Sequence, residues 1–172
     1  DGPGREGAVS DQALSQPDRH VEVQSHELEG AIEQYVAVLE ITESDDGAVD
    51  ALIALYDTAE SWGDLVDMVT IKSGLTEDLE QKRELLLEAG AIASDKMGDP
   101  EVAIPVYEEV RALDPAELRA LNALAELYGA IDDHVALCGV LSHKIGLTGP
   151  VDERKDIARE LAAVQQGALE DL

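Results

Sequence analysis

Histidine and cysteine are the residue types in this sequence that are best suited to metal binding or nucleophilic catalysis. His20, His26, His134 and His143 show neither His-x-x-x-His nor Glu-x-x-His spacing, the patterns of helical metal sites. We therefore expect surface or packing histidines, no metal and no other cofactor. Cys138 has no neighbour in the sequence that would activate a thiolate, so we expect a buried structural thiol.

Paired aspartates are the second candidate for chemistry. Asp45-Asp46 and Asp132-Asp133 stand where helices are predicted to begin, and carboxylates there stabilise the positive end of the helix dipole. A calcium loop needs alternating acidic ligands and a glycine at fixed offsets, and this pattern is missing. Glycine-rich phosphate loops and a serine nucleophile motif are missing too. The sequence thus predicts a protein that is not an enzyme.

Charge is the most unusual property of the composition. Twelve basic and 38 acidic residues leave a formal charge of −26 on 172 residues. Such a chain repels nucleic acid and anionic membranes, so neither is an expected partner, and it attracts basic proteins. A general role of the acidity in solubility or in tolerance of high salt is the alternative.

The sequence contains few features that indicate where in the cell the protein resides. The sequence has no apolar run long enough to span a membrane and no signal-peptide pattern at its start. A single cysteine excludes an intrachain disulfide. These features favour the cytoplasm, although a leader removed by processing would leave no trace.

A 72-residue internal repeat organises the chain. Residues 26–76 recur as residues 98–148 without an insertion, and all four tyrosines fall on two equivalent sites, Tyr35/Tyr107 and Tyr56/Tyr128. A fixed period of this kind is the signature of stacked repeats, in which each unit buries its apolar face against its neighbours. We divide the chain into a flexible linker or frayed segment (1–18) and a repeat domain (19–172), the latter composed of 26–97 and 98–169.

Apolar residues recur at every third or fourth position, which predicts an all-α protein with about eight helices and no strand. The predicted helices lie at about 27–41, 77–97, 100–113, 116–130, 132–145 and 151–169, with two more between residues 47 and 74. Helix caps are expected at Ser61, Asp99 and Asp114, and glycine stops at Gly74 and Gly146.

The stretch from Glu84 to Glu117 resembles a tetratricopeptide repeat. Its large, small, turn and closing positions match that 34-residue pattern at Leu87, Ala91, Gly98, Ala103, Tyr107 and Pro115, while Gly90 stands where the pattern has leucine. The resemblance implies a right-handed α-solenoid of antiparallel helix pairs, in which units of 34 and 38 residues alternate. Gly90 is expected to let a neighbouring helix approach closely, and Pro105 to kink its helix. Another helical-pair array, such as a HEAT-like one, is the alternative.

The resemblance also implies a binding site. In tetratricopeptide arrays the first helix of each pair lines a concave groove, and the projecting residues select the ligand. The matching positions are mostly acidic or apolar: Asp50, Ala54, Asp57, Leu85, Glu88, Ile92, Asp95, Arg119, Asn122, Glu126, Ile157 and Glu160. Because this set has a single cation, we do not expect the clamp that some family members use for terminal carboxylates.

Two functions are compatible with this pattern. The first is a non-enzymatic scaffold that binds a basic or amphipathic protein segment in an acidic concave groove. The second is a structural spacer of a longer array, or a unit that self-associates through its repeat ends, in which case the groove residues are simply solvated helix faces. A catalytic or regulatory role would then belong to a neighbouring domain outside this sequence.

Overall fold

A computed structural model describes residues 19–42, 44–147 and 149–170, and the side chains of these residues from 25 to 167. The predicted linker at 1–18 lies outside the described residues. Within them the chain forms eight α-helices and no strand: α1 (Arg19–Ile41), α2 (Asp46–Thr58), α3 (Trp62–Leu75), α4 (Leu79–Ala91), α5 (Pro100–Leu113), α6 (Leu118–Ala130), α7 (His134–Leu147) and α8 (Val151–Glu170). Helix α4 continues directly into a π-helical segment, Ile92–Met97. The prediction of an all-α chain with eight helices is confirmed for this part.

The helices pack in chain order. Each helix from α1 to α7 packs on its successor, and the π-helical segment also contacts α3 and α5. The core is aliphatic, and its largest completely buried side chains include Leu86, Leu121, Leu124 and Leu141. Packing between successive elements is what a helical repeat requires, because each unit covers the apolar stripe of the next.

Aspartate side chains begin several helices. Asp99 accepts hydrogen bonds from the backbone amides of Glu101 (3.0 Å) and Val102 (3.3 Å), so the predicted cap of α5 is confirmed. Asp45 accepts from the amide of Ala48 (2.8 Å) at the start of α2. Each such cap contributes about 1 kcal/mol, because it satisfies an amide that has no partner within the helix.

Two predicted caps are wrong. Ser61 precedes α3 but makes no capping bond with its side chain. Asp114 accepts from the amide of Ala116 in the turn that follows α5, whereas Glu117 caps α6 and accepts from the amide of Arg119 at 3.1 Å. The backbone amide of Asp114 donates to the carbonyl of Val110 (2.8 Å) and ends α5, and residues 114–117 separate α5 from α6.

Both predicted glycine stops are also wrong, since Gly74 and Gly146 lie inside α3 and α7. The hydroxyl of Thr76 donates instead to the carbonyl of Lys72 (2.9 Å) and satisfies the end of α3. Among the described glycines the left-handed conformation occurs at Gly98 (φ 63°), which ends the π-helical segment. At the end of α3 a hydroxyl thus replaces the left-handed residue that a glycine stop needs.

Other boundaries differ by a few residues. Helix α1 begins at Arg19 rather than near residue 27, because residues 19–26 contain neither glycine nor proline to prevent it. Helix α5 continues past Pro105 to Leu113. The kink expected at Pro105 stays a prediction.

Equivalent tyrosines occupy related positions in the two copies. Tyr56 on α2 and Tyr128 on α6 are both half-buried and both pack against the core. Burial and a hydrogen bond from the Tyr128 hydroxyl to Glu108 (2.8 Å) raise the pKa of Tyr128 to about 12. The first copy has Val36 at the position of Glu108, so its tyrosine cannot make this bond.

Helices α4 and α5 approach each other closely at Gly90. A Cβ atom built on Gly90 would lie 2.8 Å from two ring atoms of Tyr107, and Tyr107 is only 6% exposed. The expectation that Gly90 permits close packing is confirmed. Any side chain at this position must displace a ring that the core holds in place.

We expect Gly90→Ala to lower the free energy of unfolding by about 1–2 kcal/mol, since overpacking outweighs the better helix propensity of alanine. Gly139→Ala is the matched control, because Gly139 lies within α7 and a Cβ there meets no atom within 4 Å. That change should raise the free energy of unfolding by up to about 1 kcal/mol. Urea denaturation of both variants measures the difference, and two changes of the same sign would contradict the close contact.

Candidate partner-binding groove

Three depressions lie in succession along the helices. The first has a volume of about 540 Å³ and is lined by Asp50, Ile53, Ala54, Asp57, Trp62, Leu65, Lys72, Glu88, Ala91, Ile92, Asp95 and Lys96. The second, about 440 Å³, is lined by Glu84, Leu87, Glu88, Ala91, Tyr107 and Arg119. The third, about 510 Å³, is lined by Ser94, Asp95, Tyr107, Arg119, Asn122, Ala123, Glu126, Leu127 and Ala130. Shared residues make the depressions continuous, and we call them together the groove.

Helical spacing explains why these residues face one another. Residues 50, 53, 54 and 57 of α2 follow the i, i+3, i+4, i+7 pattern of a single helix face. Residues 88, 91, 92 and 95, from α4 and the π-helical segment, repeat it, as do residues 119, 122, 123 and 126 of α6. The groove is therefore built mainly from three helix faces with the same spacing.

The structure brings together most of the residues that the sequence suggested. Asp50, Ala54, Asp57, Glu88, Ile92 and Asp95 line the first depression, and Asp95, Arg119, Asn122 and Glu126 line the third. Leu85 and Ile157 instead pack against the core. Glu160 is exposed on α8 and lines none of the three depressions.

Several lining residues were not predicted from the sequence, and three of them in the first depression carry a charge or an aromatic ring: Trp62, Lys72 and Lys96. The Nζ atom of Lys72 lies 2.6 Å from the Oδ1 atom of Asp50. The Nζ atom of Lys96 lies 5.2 Å from the centroid of the Trp62 ring. Lys72 and Trp62 belong to α3, the second helix of its pair, and the resemblance assigned the groove to first helices only. The recurrence of Lys72 as Lys144 was a usable signal, whereas nothing in the sequence points to the pair formed by Trp62 and Lys96.

The rim of the first depression has an excess of negative charge. Four carboxylates (Asp50, Asp57, Glu88 and Asp95) against two ammonium groups (Lys72 and Lys96) leave a formal charge of −2. All four carboxylate residues are exposed, while apolar side chains such as Ile53, Leu65 and Ile92 are buried or half-buried between them. Acidic groups thus surround an apolar floor.

Arg119, the single cation among the residues suggested from the sequence, is held by carboxylates of its own chain. Its guanidinium donates two hydrogen bonds to Glu84 and two to Glu117, the latter both at 3.0 Å. These bonds lower the pKa of both glutamates below the usual value and raise the pKa of Arg119. A ligand carboxylate would have to compete with two groups already bound to this cation.

Arg119→Gln should raise the pKa of Glu84 and Glu117 toward 4.5, the ordinary value, since the main cause of the lowering is removed. Because the folded-state pKa of both is lowered, the stabilisation is present above the unfolded-state pKa and disappears as the pH falls through the folded-state pKa. The stability difference between wild type and Arg119→Gln should therefore shrink on acidification. Carboxyl NMR titration measures both pKa values, and unchanged values in the variant would contradict the geometry.

The other chemically capable residues form no centre in the described part of the chain. Among the described side chains no group of three or more His, Cys, Asp or Glu residues could hold a metal ion. His143 is exposed and its Nε2 lies 2.7 Å from the carbonyl of Pro115, while His134 is half-buried. Cys138 is half-buried rather than fully buried as expected. The side chain of His20 lies outside the described residues.

Over the described residues, fold and groove together define a class: an all-helical chain whose successive helices pack in chain order and form an acidic groove. No protein-family model matches the chain, and no curated protein matches its sequence. Across the described helices, none has both the length and the apolar character that crossing a membrane requires.

Proposed function

We propose that this chain is a tetratricopeptide-like right-handed α-solenoid that acts as a non-enzymatic scaffold, binding a basic or amphipathic protein segment in the groove. The packing supports the architecture, since Ala91 and Ala103 provide small residues and Leu87 and Tyr107 large ones at the positions that the tetratricopeptide pattern requires. Ala103 is completely buried. Small residues allow two helices to pack at the lower end of the usual interaxial range of about 8–10 Å.

A single observation carries the functional part of the proposal: three helix faces with equal spacing form one continuous depression with an acidic rim and an apolar floor. Exposed carboxylates attract lysine and arginine side chains from a distance and accelerate association. The apolar floor then contributes affinity as it is removed from water. Charge selects the partner, and apolar contact holds it.

The position of Lys96 suggests how one side chain of the partner is recognised. Its ammonium group lies over the face of Trp62, where a cation is attracted by the electrons of the ring. An arginine or lysine of the partner can take the same place, with Asp57, Glu88 and Asp95 lining the same depression. Lys96 is then a built-in competitor that the partner displaces.

Charge reversal tests the proposal. The probe is a peptide array in which net charge varies from acidic to basic, and we expect the wild-type protein to retain basic and amphipathic peptides, less strongly at high salt. The triple variant Asp57→Lys, Glu88→Lys, Glu126→Lys should weaken this binding by at least about tenfold, which corresponds to about 1.4 kcal/mol.

A matched control separates the groove from the overall charge. Asp67, Glu101 and Glu153 are exposed on α3, α5 and α8 and do not line the groove. Changing these three to lysine alters the net charge by the same amount and should leave most of the binding intact. Two results would contradict binding in the groove. One is that the wild-type protein retains acidic peptides as strongly as basic ones, and the other is that both triple variants lose the same amount of binding.

A further inference from the structure

Helices α1 and α5 carry identical residues with different exposure. In the 72-residue repeat Tyr35 and Val38 correspond to Tyr107 and Val110. Tyr107 is 6% and Val110 0% exposed, whereas Tyr35 is 40% and Val38 38% exposed. The second copy thus shows how these side chains are buried when a neighbouring helix covers them.

The difference comes from a helix that covers α5. Helix α4 packs against α5 and places Gly90 beneath the ring of Tyr107. Helix α1 packs on α2, and no other described helix covers it to a comparable extent. One side of α1 therefore carries the residues of a packed interface, but no described helix covers it.

This side of α1, which no other described helix covers, is uncharged from residue 30 to residue 41. We define the α1 face as the residues that share this side by their spacing of three and four: Gly30, Ala31, Gln34, Tyr35, Val38 and Ile41. Ile41 is 86% exposed, and a Cβ on Gly30 would meet no atom within 4 Å. The glutamates at positions 29, 33 and 40 lie on the opposite side, and Glu27 bounds the face at one end. In a chain with a formal charge of −26, such a face is suited to another uncharged surface and not to a basic segment.

Gln34 distinguishes the α1 face from its equivalent on α5. The second copy has Val106 at this position, and Val106 packs against the core. A glutamine that is removed from water needs hydrogen-bond partners for its carboxamide, which has both donors and an acceptor. A purely apolar cover would leave these atoms unsatisfied, whereas a second glutamine can pair with them reciprocally.

We propose that the α1 face binds the α1 face of a second copy of this chain, as an antiparallel helix pair with two-fold symmetry. A two-fold axis at Gln34 places the two carboxamides beside each other, where each can donate a hydrogen bond to the other. The same face serves both copies, which is the requirement of a two-fold interface. A polar pair at the centre of an otherwise apolar helix contact also fixes its register.

The other residues of the α1 face fit this arrangement. The axis places Tyr35 of each copy near Ala31 of the other, and Val38 near Gly30. Each tyrosine ring then lies on small residues, as the ring of Tyr107 lies on Gly90 within the chain. Glu27, which is exposed, comes to the end of the contact and keeps its carboxylate in water.

Helix α8 is a poorer occupant of the α1 face. It is the 72-residue equivalent of α4, but Arg159 replaces Leu87 at a position that is only 7% exposed in α4. Apart from the stripe formed by Ile157, Leu161 and Val164, which packs against the core, the described side chains of α8 are exposed. Charged pairs such as Lys155–Asp152 (3.2 Å) occupy its surface. The self-association proposed here therefore uses α1 alone and not both ends of the repeat.

Salt distinguishes this contact from binding in the groove. Two chains that each carry a formal charge of −26 repel one another, so screening by salt should strengthen the α1 pair. Binding of a basic segment in the groove should weaken under the same conditions. The two contacts therefore have opposite salt dependence.

Sedimentation velocity over a series of protein concentrations and two salt concentrations tests the proposal. We expect a monomer–dimer equilibrium that shifts toward dimer at higher salt. Gln34→Glu should raise the dimer dissociation constant at least about tenfold, because it keeps the size of the side chain but places two carboxylates against each other at the axis. Tyr35→Glu should also raise the dimer dissociation constant, by at least the same factor.

Val135→Glu is the control for added charge. Val135 is 85% exposed on α7, so this change should leave the dimer dissociation constant unchanged. Gln34 is exposed within one chain, and Gln34→Glu should therefore leave the fold intact. A monomer under all conditions, or an equal effect of Val135→Glu, would overturn the proposal.

Thiol cross-linking tests the orientation of the pair. In a Cys138→Ser background, Gln34→Cys should give covalent dimers with a short bismaleimide reagent, whereas Ala162→Cys on α8 should not. Cross-linking only when the two variants are mixed would overturn the symmetric pair and indicate contact between α1 and α8. Circular dichroism of each variant checks that it is folded, and the groove variant with three lysines should still dimerise.

Discussion

Tyr107→Ala is expected to lower the free energy of unfolding by about 3–5 kcal/mol, whereas Tyr35→Ala should cost about 1 kcal/mol. The two residues are equivalent in the internal repeat, but Tyr107 is 6% and Tyr35 40% exposed. Removing the buried ring of Tyr107 leaves a cavity between α4 and α5. Tyr35 is exposed, so removal of its ring loses fewer contacts. Urea denaturation at a concentration where the chain is monomeric measures both.

The pair of substitutions contains its own control, because residue type, replacement and position in the helix are the same. Equal m-values would show that both variants unfold from equally compact states. Equal losses of stability would contradict the different exposure of Tyr35 and Tyr107. They would also remove the basis for pairing through α1, while leaving the groove untouched.

Trp62→Ala is expected to weaken binding of a basic peptide by about thirtyfold, which corresponds to about 2 kcal/mol, the loss typical of a buried aromatic anchor. The ring lines the first depression and already holds one cation, that of Lys96. Titration calorimetry with the best basic peptide of the array measures the change. Trp62 also packs against the core, so the thermal stability of the variant must be measured alongside.

Two further variants separate recognition from folding. Trp62→Leu keeps an apolar side chain at the position and loses the face of the indole, so it should weaken binding while preserving stability better than alanine. Lys96→Ala removes the internal competitor and should strengthen binding of a basic peptide. Weaker binding by Lys96→Ala would mean that this lysine contacts the partner directly and would contradict displacement.

Features that depend on neighbours along the chain were predictable. Eight helices followed from the spacing of apolar residues, and the start of α5 followed from Asp99 and Pro100. Two helix ends were mistaken because glycine was read as a stop, although Gly74 and Gly146 lie within helices. A glycine permits the left-handed conformation but does not require it, and at α3 the hydroxyl of Thr76 satisfies the last turn instead.

The groove was partly predictable for the same reason. The residues on α2, α4 and α6 share a helix face by their spacing, and that face could be assigned from the tetratricopeptide-like pattern. The cation of Lys96 over Trp62 joins the π-helical segment to α3. Such a pairing depends on where two helices meet, and spacing within either helix does not reveal it.

The sequence by itself determined the number of helices, the 72-residue repeat and the acidic character of the surface, because these properties are local or summed over the chain. Only the tertiary structure decided which of two equivalent tyrosines is buried, that Arg119 is held by Glu84 and Glu117, and that Tyr35 and Val38 of α1 are exposed. The physical reason is that burial and pairing belong to two surfaces in contact. The repeated sequence specifies the same surface on α1 and α5, but among the described helices only α5 has a neighbour, α4, that covers it.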